Sequence, residues 1–180
     1  MKRRIVVAVV LAVLLAASAH AQTTDLVGVV ISGTPQDVQA AIDKGANVNA
    51  RGDMTPLIAA AKYNQEAITT LLKAGADVNA REKQYGATAL MDASLSNQNP
   101  DVITTLLKAG AKVKAQDKGG GTALMGAAKG NNLKVIMVLL NAGADAKAKD
   151  NIGNTASNYA KYNSLLKGTD ALKQLEEASK

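Results

Sequence analysis

The chain has 180 residues, 47% of them hydrophobic and 2% aromatic, with a formal net charge of +6. That length suits one domain of ordinary size. Cys, Trp and Phe are absent and the single histidine is His20, which rules out disulfides, structural zinc sites and Cys–His dyads.

The first stretch, MKRRIVVAVVLAVLLAASAHA, has the three parts of an export signal. Lys2, Arg3 and Arg4 form a basic start, Ile5 to Ala17 an apolar run, and Ala19-His20-Ala21 a small-x-small cleavage site. The run is shorter than the ~20 residues that span a bilayer, so cleavage after Ala21 is expected, with no stable membrane insertion afterwards. The signal peptide is then 1–21 and the folded domain 22–180, acting in the periplasm or outside the cell. Three of the 21 basic residues and none of the 15 acidic ones leave with the signal, so the remainder carries +3. That is too little for a nucleic-acid footprint. His20 leaves too, and with it any Ser-His-Asp triad. Only carboxylates, lysines, hydroxyls and backbone remain for chemistry. The chain reads as non-enzymatic, with no catalytic residue, no cofactor and no metal site.

Residues 22–50 make a first repeat, with a short apolar helix from Leu26 to near Gly33 and a second from Pro35 to Lys44. Thr34 is its N-cap and Pro35 its first helical residue. The units 51–83, 84–117 and 118–150 follow the same plan, and 151–180 closes the chain. Their threonines, Thr55, Thr88, Thr122 and Thr155, are spaced by 33, 34 and 33 residues. Gly-Ala pairs starting at Gly45, Gly75, Gly110 and Gly143 end the second helices, glycine being the residue for the left-handed C′ position.

Aligned by column, the first helices place Leu26, Leu57, Leu90 and Leu124 inward. The second helices place Val38/Ala41/Ile42, Ile68/Leu71/Leu72, Ile103/Leu106/Leu107 and Ile136/Leu139/Leu140 inward, at i, i+3, i+4. One such pair cannot bury its apolar face alone, so neighbours must stack. Ala60, Ala61, Ala93, Ala127 and Ala128 allow close approach. Segments 47–53, 77–86, 112–121 and 145–153 should project as turn-rich fingers. In the last unit Ser157 replaces the inward leucine. Tyr159, Tyr162, Leu165 and Leu166 precede a final helix with Leu172 and Leu175 inward and Lys173, Glu176, Glu177 and Lys180 outward.

Thr55-Pro56-Leu57-Ile58-Ala59-Ala60, taken with Gly75-Ala76-Asp77-Val78-Asn79-Ala80, resembles the ankyrin repeat, whose period is about 33 residues. The resemblance covers about residues 24–180 and is to small exported bacterial ankyrin repeat proteins. The resemblance implies an all-α fold, an α-solenoid of helix-turn-helix repeats with projecting β-turn fingers. It also implies binding of another protein by a monomer through the concave face and finger tips. The alternative it implies is an inhibitor, chaperone or accessory factor of an exported enzyme, in stress defence for instance. Where the family carries histidine after Thr-Pro-Leu, this chain has Ile58, Met91, Met125 and Asn158, so a familiar interrepeat hydrogen bond is expected to be missing. By the same resemblance the partner-binding positions are Arg51, Met54, Lys62, Tyr63, Arg81, Tyr85, Leu95, Lys118, Lys129, Lys149, Ile152 and Tyr162. Three of the four tyrosines fall among them, and Tyr and Arg are common interface anchors.

Other groupings carry less. Gly119-Gly120-Gly121-Thr122 before a helix has the backbone for a phosphate cradle, but lacks a Gly-Lys-Ser/Thr ending and occupies a finger tip. Arg51-Gly52-Asp53 is a short string on an exposed turn. Glu176 and Glu177 lie on the outer face of the cap, and Asp92, alone on its helix, is expected to be solvated in the groove. Acid–base catalysis needs two positioned groups with separated pKa values, and neither arrangement supplies that. Lys112, Lys114, Lys118, Lys147 and Lys149 on the later fingers read as a solvated surface, or as a face for an acidic partner or anionic envelope component.

Overall fold

The computed structural model describes residues 25–96, 99–130, 133–164 and 166–179. The leader, its cleavage site, Thr24, Leu165 and Lys180 lie outside the described residues. Helices run in pairs: α1 (Leu26–Ser32) with α2 (Pro35–Asp43), α3 (Pro56–Tyr63) with α4 (Ala67–Lys73), and α5 (Ala89–Ser96) with α6 (Pro100–Lys108). Then follow α7 (Ala123–Gly130) with α8 (Leu133–Asn141), and α9 (Ala156–Lys161) with α10 (Asp170–Ala178). Among the described residues there is no strand, only isolated bridges between Arg81 and Thr88 and between Gln116 and Thr122. The fold is an all-α solenoid.

Each repeat is punctuated by side chains that close helix ends. Thr55, Thr88, Thr122 and Thr155 each accept a hydrogen bond on Oγ1 from the amide three residues on, at 3.2–3.4 Å, which satisfies an otherwise orphaned N–H. Thr34 and Asp37 form a reciprocal capping box, and the Thr34 backbone N–H holds the Asp37 carboxyl below its ordinary value. Asn99 caps α6 by accepting from Asp101 N at 2.9 Å, just ahead of Pro100. Gly45, Gly75, Gly110 and Gly143 all have φ between 85° and 92°, the left-handed closure that only glycine adopts without steric cost.

The first helices pack on one another in order, α1 to α9, and do so more intimately than the second helices. Side-chain size is the reason. Ala59, Ala60, Ala61, Ala93, Ala127 and Ala128 are all fully buried between first helices, whereas branched residues keep the second helices apart. The first-helix row is therefore the inner side of the stack. Leu26, Leu57, Leu90 and Leu124 are buried in it, as the column alignment requires.

The second-helix trios need one correction. Val38, Ile68, Ile103 and Ile136 are buried, as are Ala41, Leu71, Leu106 and Leu139, but Ile42, Leu72, Leu107 and Leu140 are only half-buried. In three repeats the residue before the isoleucine is buried instead: Ala67, Val102 and Val135. The buried stripe is turned toward the N-terminal side, where second helices meet both their own first helix and, for α2 with α4, α6 with α8 and α8 with α10, a neighbour in the second row. At the end of the stack, α10 packs on α9 and α8 through Ala171 and Leu175, with Leu172 half-buried and Leu166 buried beside them. No helix among the described residues is long and apolar enough to cross a membrane.

Candidate protein interface

The last three fingers are each closed by an acid of their own. Glu82 accepts on Oε1 from Tyr85 N and on Oε2 from Gln84 N. Asp117 Oδ1 accepts from Gly119 N at 2.8 Å and Gly121 N at 2.7 Å. Asp150 Oδ1 accepts from Ile152 N at 3.1 Å and Asn154 N at 2.8 Å. The glycine run at 119–121 is thus explained without a phosphate: two of its amides already serve Asp117. A Cβ on Gly120 would stand 2.9 Å from the Asp150 backbone, so close contact with the next finger requires glycine there.

Neighbouring fingers are joined by backbone hydrogen bonds, Lys83 N to Asp53 O, Lys118 N to Tyr85 O and Asn151 N to Gly119 O, at 2.8–3.0 Å. Asn49 and Asn79 add a two-way clasp. Asn49 Nδ2 donates to Gly75 O and its Oδ1 accepts from Asp77 N. Asn79 does the same with Gly110 O and Lys112 N. These links hold the repeats together where the family's histidine is absent. In the last repeat Asn158, at the histidine's position, completes a capping box with Thr155.

The sequence-selected residues fall into two groups. Arg81 donates to Gly86 O in its own finger and to Gln116 O in the next, both at 2.7 Å, and Lys118 Nζ donates to Lys83 O and Gln84 O. Lys62 Nζ sits 3.5 Å from Asp92 Oδ1, Lys129 Nζ lies 3.9 Å from the Tyr159 ring centroid, and Met54 packs half-buried against the core. Arg51, Tyr63, Tyr85, Leu95, Lys149, Ile152 and Tyr162 are exposed. Tyr85, Leu95 and Lys129 meet at one cavity of about 200 Å3 on the inner face. Arg51 and Arg81 line a groove of about 780 Å3 between the first two fingers. Tyr63 stands apart at the end of α3, beside a hollow of about 480 Å3 shared with Asn64, Glu66 and Asn99.

Asp92 corrects an expectation: it is buried, with 8% of its surface exposed, rather than solvated. Its Oδ2 has no hydrogen-bond partner. Burial pushes the carboxyl above its ordinary value, against the opposing pull of Lys62. The Lys62 contact is partly exposed, so it contributes no more than about 1 kcal/mol. Asp150 goes the other way, held below its ordinary value chiefly by the Tyr159 hydroxyl, which donates to Oδ2. Among the described residues, no group of three or more His, Cys, Asp or Glu is placed to hold a metal ion.

The family description "Ankyrin repeats (3 copies)" matches residues 14–117 and again 90–178, nearly the whole chain. The chain belongs to the ankyrin repeat family. Ankyrin repeats generally mediate protein–protein interaction and are generally non-enzymatic. No curated protein matched this ankyrin repeat chain.

Sequence reading passed over the finger acids Glu82, Asp117 and Asp150, although each stands five or six residues before a repeat threonine and was visible in the column alignment. It also passed over Gly126 and Gly130, where α7 comes closest to α5. A Cβ on Gly126 would lie 3.3 Å from Met91 O, and one on Gly130 only 2.0 Å from Leu95 O. The signal was present as two glycines four apart on one helix, in a column where the other repeats carry side chains.

Proposed function

We propose that this ankyrin repeat protein is a monomeric recognition module that acts in the periplasm after losing residues 1–21. It binds another protein through its inner helical face and finger tips, without catalysing a reaction. The observation that carries this reading is the exposure of large side chains at finger tips and first-helix ends, where polar residues are usual. Tyr63 is 59% exposed, Tyr85 61%, Leu95 47%, Ile152 80% and Tyr162 91%. Tyrosine buries a large area on binding and still offers a hydrogen bond, and such residues dominate binding energy when they are desolvated.

The test is affinity capture from the native envelope fraction with the exported chain, whose mass should correspond to a start at Gln22. Tyr63→Ala and Tyr85→Ala should each weaken the captured complex by about 1–3 kcal/mol and leave the urea midpoint unchanged. Binding that survives both substitutions while stability falls would make these tyrosines structural. An intact Met1 on the envelope form would refute the export assignment.

A further inference from the structure

The last repeat provides an internal template for the cavity on the inner face. There Asp150 Oδ1 closes the finger, and its Oδ2 accepts a hydrogen bond from the hydroxyl of Tyr159, nine residues on. Lys129, from the preceding repeat, lies across the ring. One repeat earlier the register is the same. Asp117 Oδ1 closes its finger on Gly119 N and Gly121 N, and the residue nine positions on is Gly126. With no side chain there, Asp117 Oδ2 accepts no hydrogen bond among the described residues, and Asp117 lines the cavity of about 200 Å3.

The remaining walls also correspond. The position of Lys129 is taken by Leu95, which is 47% exposed and whose Cβ lies 3.6 Å from where a Gly126 Cβ would stand. Met91 and Met125 add polarisable apolar surface. Asp92, also lining the cavity, contributes the buried Oδ2 that has no partner. A space of this size takes one side chain, since clefts for drug-sized ligands run from about 300 to 1,000 Å3.

We infer that the notch over Gly126 receives a tyrosine side chain from the protein partner, its ring against Leu95 and the two methionines and its hydroxyl donating to Asp117 Oδ2. The inference rests on the recognition function proposed above and names the residue class recognised. A ring suits the apolar walls, and a donor suits an acceptor left open. Lys62 pairs with Asp92 and Lys129 also lines the cavity, so a cation would meet like charge there. The partner's tyrosine does from outside what Tyr159 does from within the chain one repeat further on.

The probe is 4-methylphenol, the tyrosine side chain alone, titrated into the full exported chain and followed by NMR at the Gly126 amide and the Met91 and Met125 methyls. Saturable shifts at these positions are expected. 4-Methylanisole and toluene, which cannot donate, should bind at least tenfold more weakly. Gly126→Tyr should abolish the shifts by filling the notch, and Gly126→Ala should keep them. Equal binding of toluene, tighter binding of butylguanidinium, or shifts that persist in Gly126→Tyr would overturn the inference. The wild-type titration with its two non-donor controls decides the matter even if Gly126→Tyr does not fold. Because the readout needs no partner, failure here is distinct from failure of the recognition reading, which the Tyr63 and Tyr85 substitutions judge.

Discussion

Gly130→Ala separates tertiary packing from local preference more sharply than any other change in this chain. Gly130 is the last residue of α7, and helix propensity alone favours alanine over glycine by up to about 1 kcal/mol. The structure opposes this. A Cβ built on Gly130 stands 2.0 Å from Leu95 O, 2.8 Å from Leu95 C and 3.2 Å from Leu95 Cα, all of them backbone atoms of α5. An ordinary carbon–oxygen contact is about 3.3 Å or more, so α5 and α7 would have to separate by roughly 1 Å. Overpacking of this kind costs about 1–3 kcal/mol and exceeds the propensity gain, which is small at a helix end. For a domain of this length each kcal/mol moves the melting temperature by about 2–4 °C, so a fall of roughly 2–12 °C is expected. Gly126→Ala, whose Cβ would meet Met91 O at 3.3 Å, is the control: the interior propensity gain of about 1 kcal/mol offsets this slight crowding, so it should lose less stability than Gly130→Ala. The assay is urea and thermal unfolding followed by far-ultraviolet circular dichroism. A Gly130→Ala variant as stable as the wild type, or more so, would refute the close approach of α5 and α7 on which the shape of the inner face depends.

Two further outcomes follow from burial and charge. Leu106→Ala, in the middle of the stack, should cost about 2–5 kcal/mol. Leu175→Ala removes an equally buried side chain from the terminal helix, which packs on α9 and α8, and should cost less because it loosens the end unit. Equal losses in urea unfolding would contradict the stacked register. Asp92→Asn should raise stability at pH 7 by about 1 kcal/mol, the low end of the cost of a buried unpaired polar atom, since loss of the Lys62 contact offsets part of the gain. Burial raises the folded-state pKa of Asp92, so the wild type keeps its full stability below about pH 4 and loses it as pH rises through the folded value. The advantage of the Asn variant should therefore vanish by about pH 3. A difference that stays constant between pH 3 and 7 would show that Asp92 does not titrate in a buried site.

Much of the architecture was legible because it is periodic. Threonine caps, Gly-Ala closures and the inward leucines each recur four times, and a local physical rule read four times fixes the register of a stack whose units touch only their neighbours. The candidate interface was less legible. Tyr85 and Leu95 belong to one repeat and Lys129 to the next, and that they share a cavity depends on how far α7 advances on α5. Arg81 and Lys118 were selected as contact residues, yet their charged ends are engaged by carbonyls of neighbouring fingers, which no single-repeat pattern reveals.

Asp92 shows where the division lies. From sequence it is an isolated acid on an alanine-rich helix, and its solvation depends on what stands next to that helix. The sequence determined the helix pairs, the caps, the inward-facing columns and the family, because these follow from spacing along the chain. Only the tertiary structure decided that Asp92 is buried without a partner for Oδ2, that Tyr159 satisfies Asp150, and that Gly126 leaves Asp117 without an equivalent donor. Those are relations between side chains nine or more residues apart. They are set by helix-to-helix distance, and that distance is itself the sum of packing choices made across the whole stack.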